Sequence, residues 1–318
     1  MKPEILVLVP IYAPTLAALE REYVVRKLWL ERDAGAYLRD SCGNVRGVVT
    51  TGLAGCAKSV IDALPRLEIV ASFGSPRRNT AFDAAAARGI IVTNTPDSIT
   101  ASVADLAVGL LLAVMRRIGE GERFLRAGKW TEGPFPPGHE LGGKTCGIIG
   151  LGAIGREVAK RVEAFGMSVC YHGPRRKADV AWPFHAGLED LARESDCLVV
   201  TCPSTPETRG MVGARVLEAL GPDGFLVNVA RGAIVDERAL IAALRDRAIA
   251  GAGLDVFWDE PRVPAELTRL DNVVLVPHIG STTREIREGR GRKVLENLQA
   301  RFAGRPVPYP VTQPHKLD

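Results

Sequence analysis

The chain has 318 residues, 46% of them hydrophobic and 25% charged, enough to bury a substantial core in two domains. Its formal charge of +4 is spread along the sequence without a block of like charges, so neither nucleic acid nor a membrane surface is an expected partner. The six cysteines (Cys42, Cys56, Cys146, Cys170, Cys197 and Cys202) form no CxxC pair, and they read as reduced, buried small hydrophobes of a cytoplasmic protein with no metal site.

The first segment, MKPEILVLVP, breaks at Pro10 and lacks a small-residue cleavage site, so it predicts a first strand and not a signal peptide. Strand-like runs at Ile5–Val9, Val45–Thr50, Glu68–Phe73 and Ile90–Thr93 then alternate with helix-compatible stretches such as Cys56–Leu64 and Phe82–Arg88. Alternation of this kind signals a parallel sheet. Ser98 to Arg117 follows, apolar on nearly every face, and predicts a helix buried on all sides, in a domain core or against another subunit. Its longest apolar run, Ala107 to Met115, is far too short to span a membrane. The Pro- and Gly-rich stretch from Gly128 to Lys144, with Trp130, Phe135 and His139, reads as a surface arm.

Next comes TCGIIGLGAIGREVAKR, Thr145 to Arg161. An apolar run meets Gly150-Leu151-Gly152-Ala153-Ile154-Gly155, and a helix-compatible run follows. The bare glycine spacing is weak, but its place between strand and helix gives it meaning. Gly150 permits a tight turn, Gly152 lets backbone approach a pyrophosphate, and Gly155 allows close packing of helix on strand, while the helix N-terminus offers free N–H groups to the anion. A second strand series follows at Ser168–His172, Cys197–Thr201, Phe225–Val229, Gly251–Asp255 and Val273–Val276, with helical segments such as Asp236–Leu244 between. The charged helical segment Glu285 to Phe302 begins after the last strand and is expected to pack back on the first domain.

Three further motifs fall at strand C-terminal ends, the edge where open α/β sheets bind ligands. They are Asn228-Val229-Ala230-Arg231-Gly232, Leu254 to Pro261 (LDVFWDEP) and Val276 to Ser281 (VPHIGS). With Thr93 to Asp97 (TNTPD), Val103 to Ala107 (VADLA) and the glycine motif, the sequence resembles the D-2-hydroxyacid dehydrogenase family over nearly its whole length. Within that family it is similar to the glyoxylate/hydroxypyruvate and hydroxyphenylpyruvate reductase branch.

The resemblance implies an α/β protein of two doubly wound parallel-sheet domains. A Rossmann dinucleotide-binding domain, residues 99–283, would be inserted into a discontinuous flavodoxin-like substrate domain, residues 1–98 and 284–318. It implies reduction of a small 2-keto acid to the D-2-hydroxy acid by a homodimer. His278 would be the general acid and Glu260 its partner, since a carboxylate beside an imidazole favours the charged ring. Arg231 would hold the substrate carboxylate and keto oxygen through its fork of donors. Substrate would also meet Leu53, Ala54, Gly55, Ser75 and Pro76. The coenzyme would meet Val103, Gly150, Leu151, Gly152, Ala153, Ile154, Gly155, Gly173, Arg175, Arg176, Cys202, Pro203, Thr208, Val229, Ala230, Arg231, Asp255, His278 and Gly280, with Asp255 on the nicotinamide carboxamide.

An NAD-binding member carries an acidic residue about 20 residues beyond the glycines. Here that place holds His172-Gly173-Pro174-Arg175-Arg176-Lys177, which attracts a 2′-phosphate, so NADP(H) is expected over NAD(H). One loop departs from the family. Where a Val-Gly-aromatic-or-Leu-Asp sequence is usual, this chain has Gly74-Ser75-Pro76-Arg77-Arg78-Asn79-Thr80, and Pro76 has no N–H to give an anion. The altered loop leaves one other reading open, a dinucleotide-sensing regulator on the same fold, and a relative with another donor, such as a formate or phosphite dehydrogenase, is the second alternative. Retention of Arg231, Glu260 and His278 argues against the first, and the basic loop against an NAD-linked role for the second.

Overall fold

The computed structural model describes residues 2–76, 79–96 and 99–311. They fall into two compact units, one built from residues 1–98 and 284–318 and the other from residues 99–283.

The first unit alternates strand and helix: β1 (Glu4–Val7), α1 (Ala13–Glu22), β2 (Val24–Lys27), α2 (Ala34–Ser41), β3 (Val45–Thr51), α3 (Lys58–Ala63), β4 (Ile69–Phe73), α4 (Phe82–Ala87) and β5 (Ile91–Thr93). All strand pairs are parallel, in the order β2-β1-β3-β4-β5. Period-two alternation sorts the side chains. Ile5, Val7, Val49, Ile69 and Ala71 bury one face of the sheet together with Val294 and Leu298 from the C-terminal segment. Leu6, Val48 and Val70 bury the other face with Leu38, Ile61 and Leu64. Each fully buried Val, Leu or Ile side chain among them contributes about 1.5–3 kcal/mol. Asp33 caps α2 by accepting the Ala36 N–H at 2.9 Å.

The second unit contains α5 (Thr100–Met115), α6 (Ile118–Arg126), β6 (Thr145–Ile149), α7 (Ala153–Ala164), β7 (Ser168–His172), β8 (Phe184–His185), α8 (Leu188–Arg193), β9 (Cys197–Val200), α9 (Ala214–Leu220), β10 (Phe225–Asn228), α10 (Glu237–Arg245), β11 (Gly251–Leu254), α11 (Ala265–Arg269) and β12 (Val273–Leu275). Its seven strands are parallel, ordered β12-β11-β10-β9-β6-β7-β8. Every residue of β9, β10 and β11 is buried because helices cover both faces, which is why these strands read as continuous apolar runs. The chain then returns to the first unit as α12 (Arg284–Phe302), which packs on β4 and α1 as its position in the sequence predicts.

The apolar helix α5 is covered only in part by its own unit. It packs on α7, β10, β11 and β12, but a stripe at Ala101, Asp105 and Gly109 is exposed. The arm after it contains only a short 3₁₀ turn at Lys129–Thr131. Phe135 lies 5.3 Å from the Phe124 ring and His139 meets Phe225 edge-on at 5.2 Å, which fastens the arm to its own unit, whereas Trp130 stands 68% exposed. All six cysteines are free, five of them buried and Cys202 half-buried. No helix among the described residues is long and apolar enough to cross a membrane.

Candidate active site

The strand order of the second unit reverses between β6 and β9, and the glycine turn leaves β6 at that point. Gly150 has φ +99°, and a Cβ there would lie 2.6 Å from the Cys202 Cα, so no other residue fits. A Cβ on Gly155 would lie 2.4 Å from the Gly150 oxygen, so the third glycine serves packing. Around Gly152 there is nothing within 4 Å of a Cβ, and no side chain caps α7. Open space before uncapped helical N–H groups, with Leu151, Ala153 and Ile154 in the same turn, is a cradle that fits a dinucleotide pyrophosphate. Sequence reading missed Thr201, whose hydroxyl donates to the Gly150 oxygen at 2.7 Å and fixes the turn.

The neighbouring strand ends complete this edge. After β7, Gly173 leads into Arg175 and Arg176, both exposed. After β9, burial pushes the Cys202 thiol up to about 11, and the Thr208 hydroxyl donates to the Pro203 oxygen at 2.9 Å to shape the loop. After β10, the buried Asn228 side chain accepts the Ala230 N–H and donates to the Arg231 oxygen, both at 3.0 Å, so it holds the Val229–Arg231 turn. Arg231 is exposed at its end. The backbone of the next residue, Gly232, lies so close to Phe257 that a Cβ would come within 2.1 Å of its carbonyl carbon.

After β11, Asp255 is 1% exposed, and it organises the turn beyond β12. Its backbone oxygen accepts the His278 N–H at 2.9 Å, while its carboxylate accepts Ile279 N–H at 2.6 Å and Gly280 N–H at 2.9 Å. Burial pushes this carboxyl above the usual range, opposed by those two N–H groups. Both carboxylate oxygens are thus already engaged, which makes Asp255 the clamp of the histidine turn. His278 itself adopts φ +53°, a left-handed conformation rare outside glycine, and the three bonds to Asp255 hold it there. Its Nδ1 lies 2.7 Å from Glu260 Oε2, and Glu260 Oε1 accepts the Phe257 N–H at 3.1 Å. The ring nitrogen Nε2 is therefore the one left for other chemistry. Val103, 5% exposed, packs behind Gly280.

In the first unit the predicted anion loops are partly spent on their own folding. Thr51 forms a turn in which its hydroxyl accepts Ala54 N–H at 3.1 Å and its carbonyl accepts Gly55 N–H at 2.9 Å. The Leu53 oxygen accepts from Asn79 Nδ2 at 2.5 Å. Gly74 N–H goes to Thr95 Oγ1 at 2.8 Å, and Pro76 is buried. Of the expected donors, only Leu53 and Ser75 have an N–H with no partner among the described residues. Sequence could not reveal this, because Thr51 looks like any strand residue until its turn is formed. Arg77, Arg78, Asp97 and Ser98 lie outside the described residues. Among the described residues no group of three or more His, Cys, Asp or Glu could hold a metal ion.

Residues 108–280 match the family model for the D-isomer specific 2-hydroxyacid dehydrogenase, NAD binding domain. The chain belongs to that family. This dehydrogenase is 44% identical over 293 residues to glyoxylate/hydroxypyruvate reductase A of Arabidopsis thaliana, covering 92% of this chain and 94% of that protein. It is 43% identical to hydroxyphenylpyruvate reductase of Plectranthus scutellarioides, with the same coverage. Among solved structures, an NADPH-dependent glyoxylate/hydroxypyruvate reductase of Sinorhizobium meliloti, in complex with NADP and malonate, superposes with a TM-score of 0.80 at 41% identity over 99% of this chain and 98% of that one. The dehydrogenase is accordingly an oxidoreductase that has two parallel-sheet α/β units, one of them an NAD-binding domain of the Rossmann type.

Proposed function

We propose that this dehydrogenase reduces a small 2-keto acid to the D-2-hydroxy acid with NADPH. The observation that carries the reading is the 2.7 Å contact of His278 Nδ1 with Glu260 Oε2, on the sheet edge where Arg231 also ends a strand. Residues 99–283 hold the dinucleotide, with the pyrophosphate at Gly150–Gly155, the ribose end at Gly173, Arg175 and Arg176, and the remaining surface at Cys202, Pro203, Thr208, Val229, Ala230 and Gly280. Bound there, the reduced nicotinamide supplies the hydride. Arg231 orients the substrate through its carboxylate and keto oxygen. His278 gives the proton on Nε2 to the keto oxygen, and Glu260 holds the ring through Nδ1 and balances its charge. Residues 1–98 and 284–318 form the substrate domain, to which the Leu53 and Ser75 N–H groups contribute as anion donors.

Glyoxylate, hydroxypyruvate and hydroxyphenylpyruvate appear in the names of the similar reductases and set the substrate class. The test is NADPH oxidation against a panel of glyoxylate, hydroxypyruvate, phenylpyruvate and a sugar-derived 2-keto acid. Turnover of none of them with either coenzyme overturns the reading. We also infer a homodimer in a reducing cytoplasm, supported by the exposed stripe on α5, the exposed Trp130 and six free thiols. A monomer by light scattering at working concentrations overturns the dimer.

A further inference from the structure

The loop that carries Arg175 and Arg176 runs from Gly173 to Pro183, between β7 and β8. Its base is closed by a backbone hydrogen bond, Tyr171 N–H donating to the Pro183 oxygen at 2.9 Å, and by a side-chain contact, His172 Nδ1 lying 3.0 Å from the His185 oxygen. Inside the loop there are further ties. Lys177 N–H donates to the Tyr171 hydroxyl at 2.6 Å. Asp179 forms a two-pronged ion pair with Arg156, each contact 3.0 Å. Arg156 directly follows Gly155 in the first turn of α7, so this pair binds the loop to the helix that carries the glycine motif.

The tyrosine tie is enforced from both sides. Tyr171 is 1% exposed, and its hydroxyl has no other bond among the described residues, so losing Lys177 would leave a buried polar group unsatisfied. The Lys177 N–H, in turn, immediately follows Arg176. Two long arginine side chains on a free loop lose much conformational entropy when they close on a phosphate, and a backbone anchored one residue away has already lost part of it.

Resting on the NADPH reading, we propose that Tyr171 is a positioning residue for coenzyme choice. Its hydroxyl holds the backbone beside Arg175 and Arg176 so that they meet a 2′-phosphate without first having to be ordered, and the Arg156–Asp179 pair is the second tie. Neither needs to touch the coenzyme.

Tyr171→Phe isolates the hydroxyl, because the ring keeps its packing on Phe184, 5.4 Å away. Calorimetry with adenosine 2′,5′-bisphosphate and with AMP reads the effect without turnover. Losing one hydrogen bond should raise the Kd of the bisphosphate roughly three- to tenfold and leave that of AMP within about twofold. The KM for NADPH should rise in parallel, with kcat and the KM for NADH unchanged. A variant that weakens both ligands equally, or neither, overturns the proposal. Asp179→Asn, a surface change that spares the buried ring, should move the same ratio in the same direction by less, and an unchanged ratio there removes the second tie. A wild-type protein that binds the bisphosphate no better than AMP overturns the NADPH reading itself and the proposal with it. Discrimination retained in full by Tyr171→Phe overturns the proposal alone.

Discussion

Glu260 is held at both ends: Oε2 lies 2.7 Å from His278 Nδ1, and Oε1 accepts the Phe257 N–H at 3.1 Å. The carboxylate is therefore not free to swing away when the ring changes its charge. His278→Ala should lower kcat by roughly 10²–10⁴-fold, the range for a positioned proton donor. Glu260→Gln keeps the shape and the Phe257 bond but turns a charged acceptor toward Nδ1 into an amide, so kcat should fall while KM for the 2-keto acid changes little. Steady-state kinetics of both variants check this, and an unchanged kcat in Glu260→Gln removes the carboxylate from the mechanism.

Arg175 and Arg176 are both exposed at the end of β7, where a 2′-phosphate would lie. We expect kcat/KM for NADPH to exceed that for NADH by at least about tenfold, the size of one charge-assisted contact in a partly exposed site. Replacing both arginines with Ala should bring the two values together by lowering the NADPH value alone. Comparable values in the wild type refute the preference.

With Ala54 and Gly55 N–H groups taken by Thr51, and with Pro76 unable to donate, the first unit offers fewer anion donors than its loops suggest. KM for simple 2-keto acids should be high. Pro76→Gly restores a donor, so it should lower KM with little change in kcat, because ground and transition states gain alike. If KM stays fixed while Arg77→Ala raises it sharply, the arginine has taken over the anion site.

Burial pushes the Cys56 thiol up to about 12, and the Tyr23 hydroxyl likewise to about 12. An unfolded cysteine loses its proton near about 8.5, whereas the folded one keeps it, so the unfolded state binds fewer protons in between. Stability tied to Cys56 is fully present below that pH and is lost as pH rises toward 12. Thermal melts from pH 8 to pH 11 should show a falling Tm, and Cys56→Ala should flatten the slope although it lowers the whole curve by leaving a cavity. A slope identical to that of the wild type refutes the assignment.

The parts that were legible in the sequence share one cause. Buried parallel strands such as β9, apolar at every position, and β10, apolar up to Asn228, stand out as runs, and the glycine turn is marked by steric need at Gly150 and Gly155. The edge strands β2 and β8 were not visible: the first is half exposed and includes Arg26 and Lys27, and the second has only two residues. Helix α6 was hidden by Gly119 and Gly121, which lower its propensity. Within the site, the histidine, glutamate and arginine could be found because strand ends carry them. Thr51, Thr201 and the clamp made by Asp255 could not, because each acts through a hydrogen bond to backbone that is distant in sequence or shaped only by the turn itself.

The discontinuity of the first unit sets an order on its making. Val294 and Leu298 of α12 fill the core beneath β4, yet the 185 residues from 99 to 283 lie between the unit's two segments. At ribosomal rates of about 5–20 residues per second, β1 to β5 wait roughly ten to forty seconds for that helix, with one apolar face of their sheet covered only in part, by Leu19 of α1 and Tyr23. During synthesis the inserted unit can complete its own sheet before the unit that surrounds it in sequence, so the N-terminal sheet is the part of the nascent chain most in need of protection from aggregation.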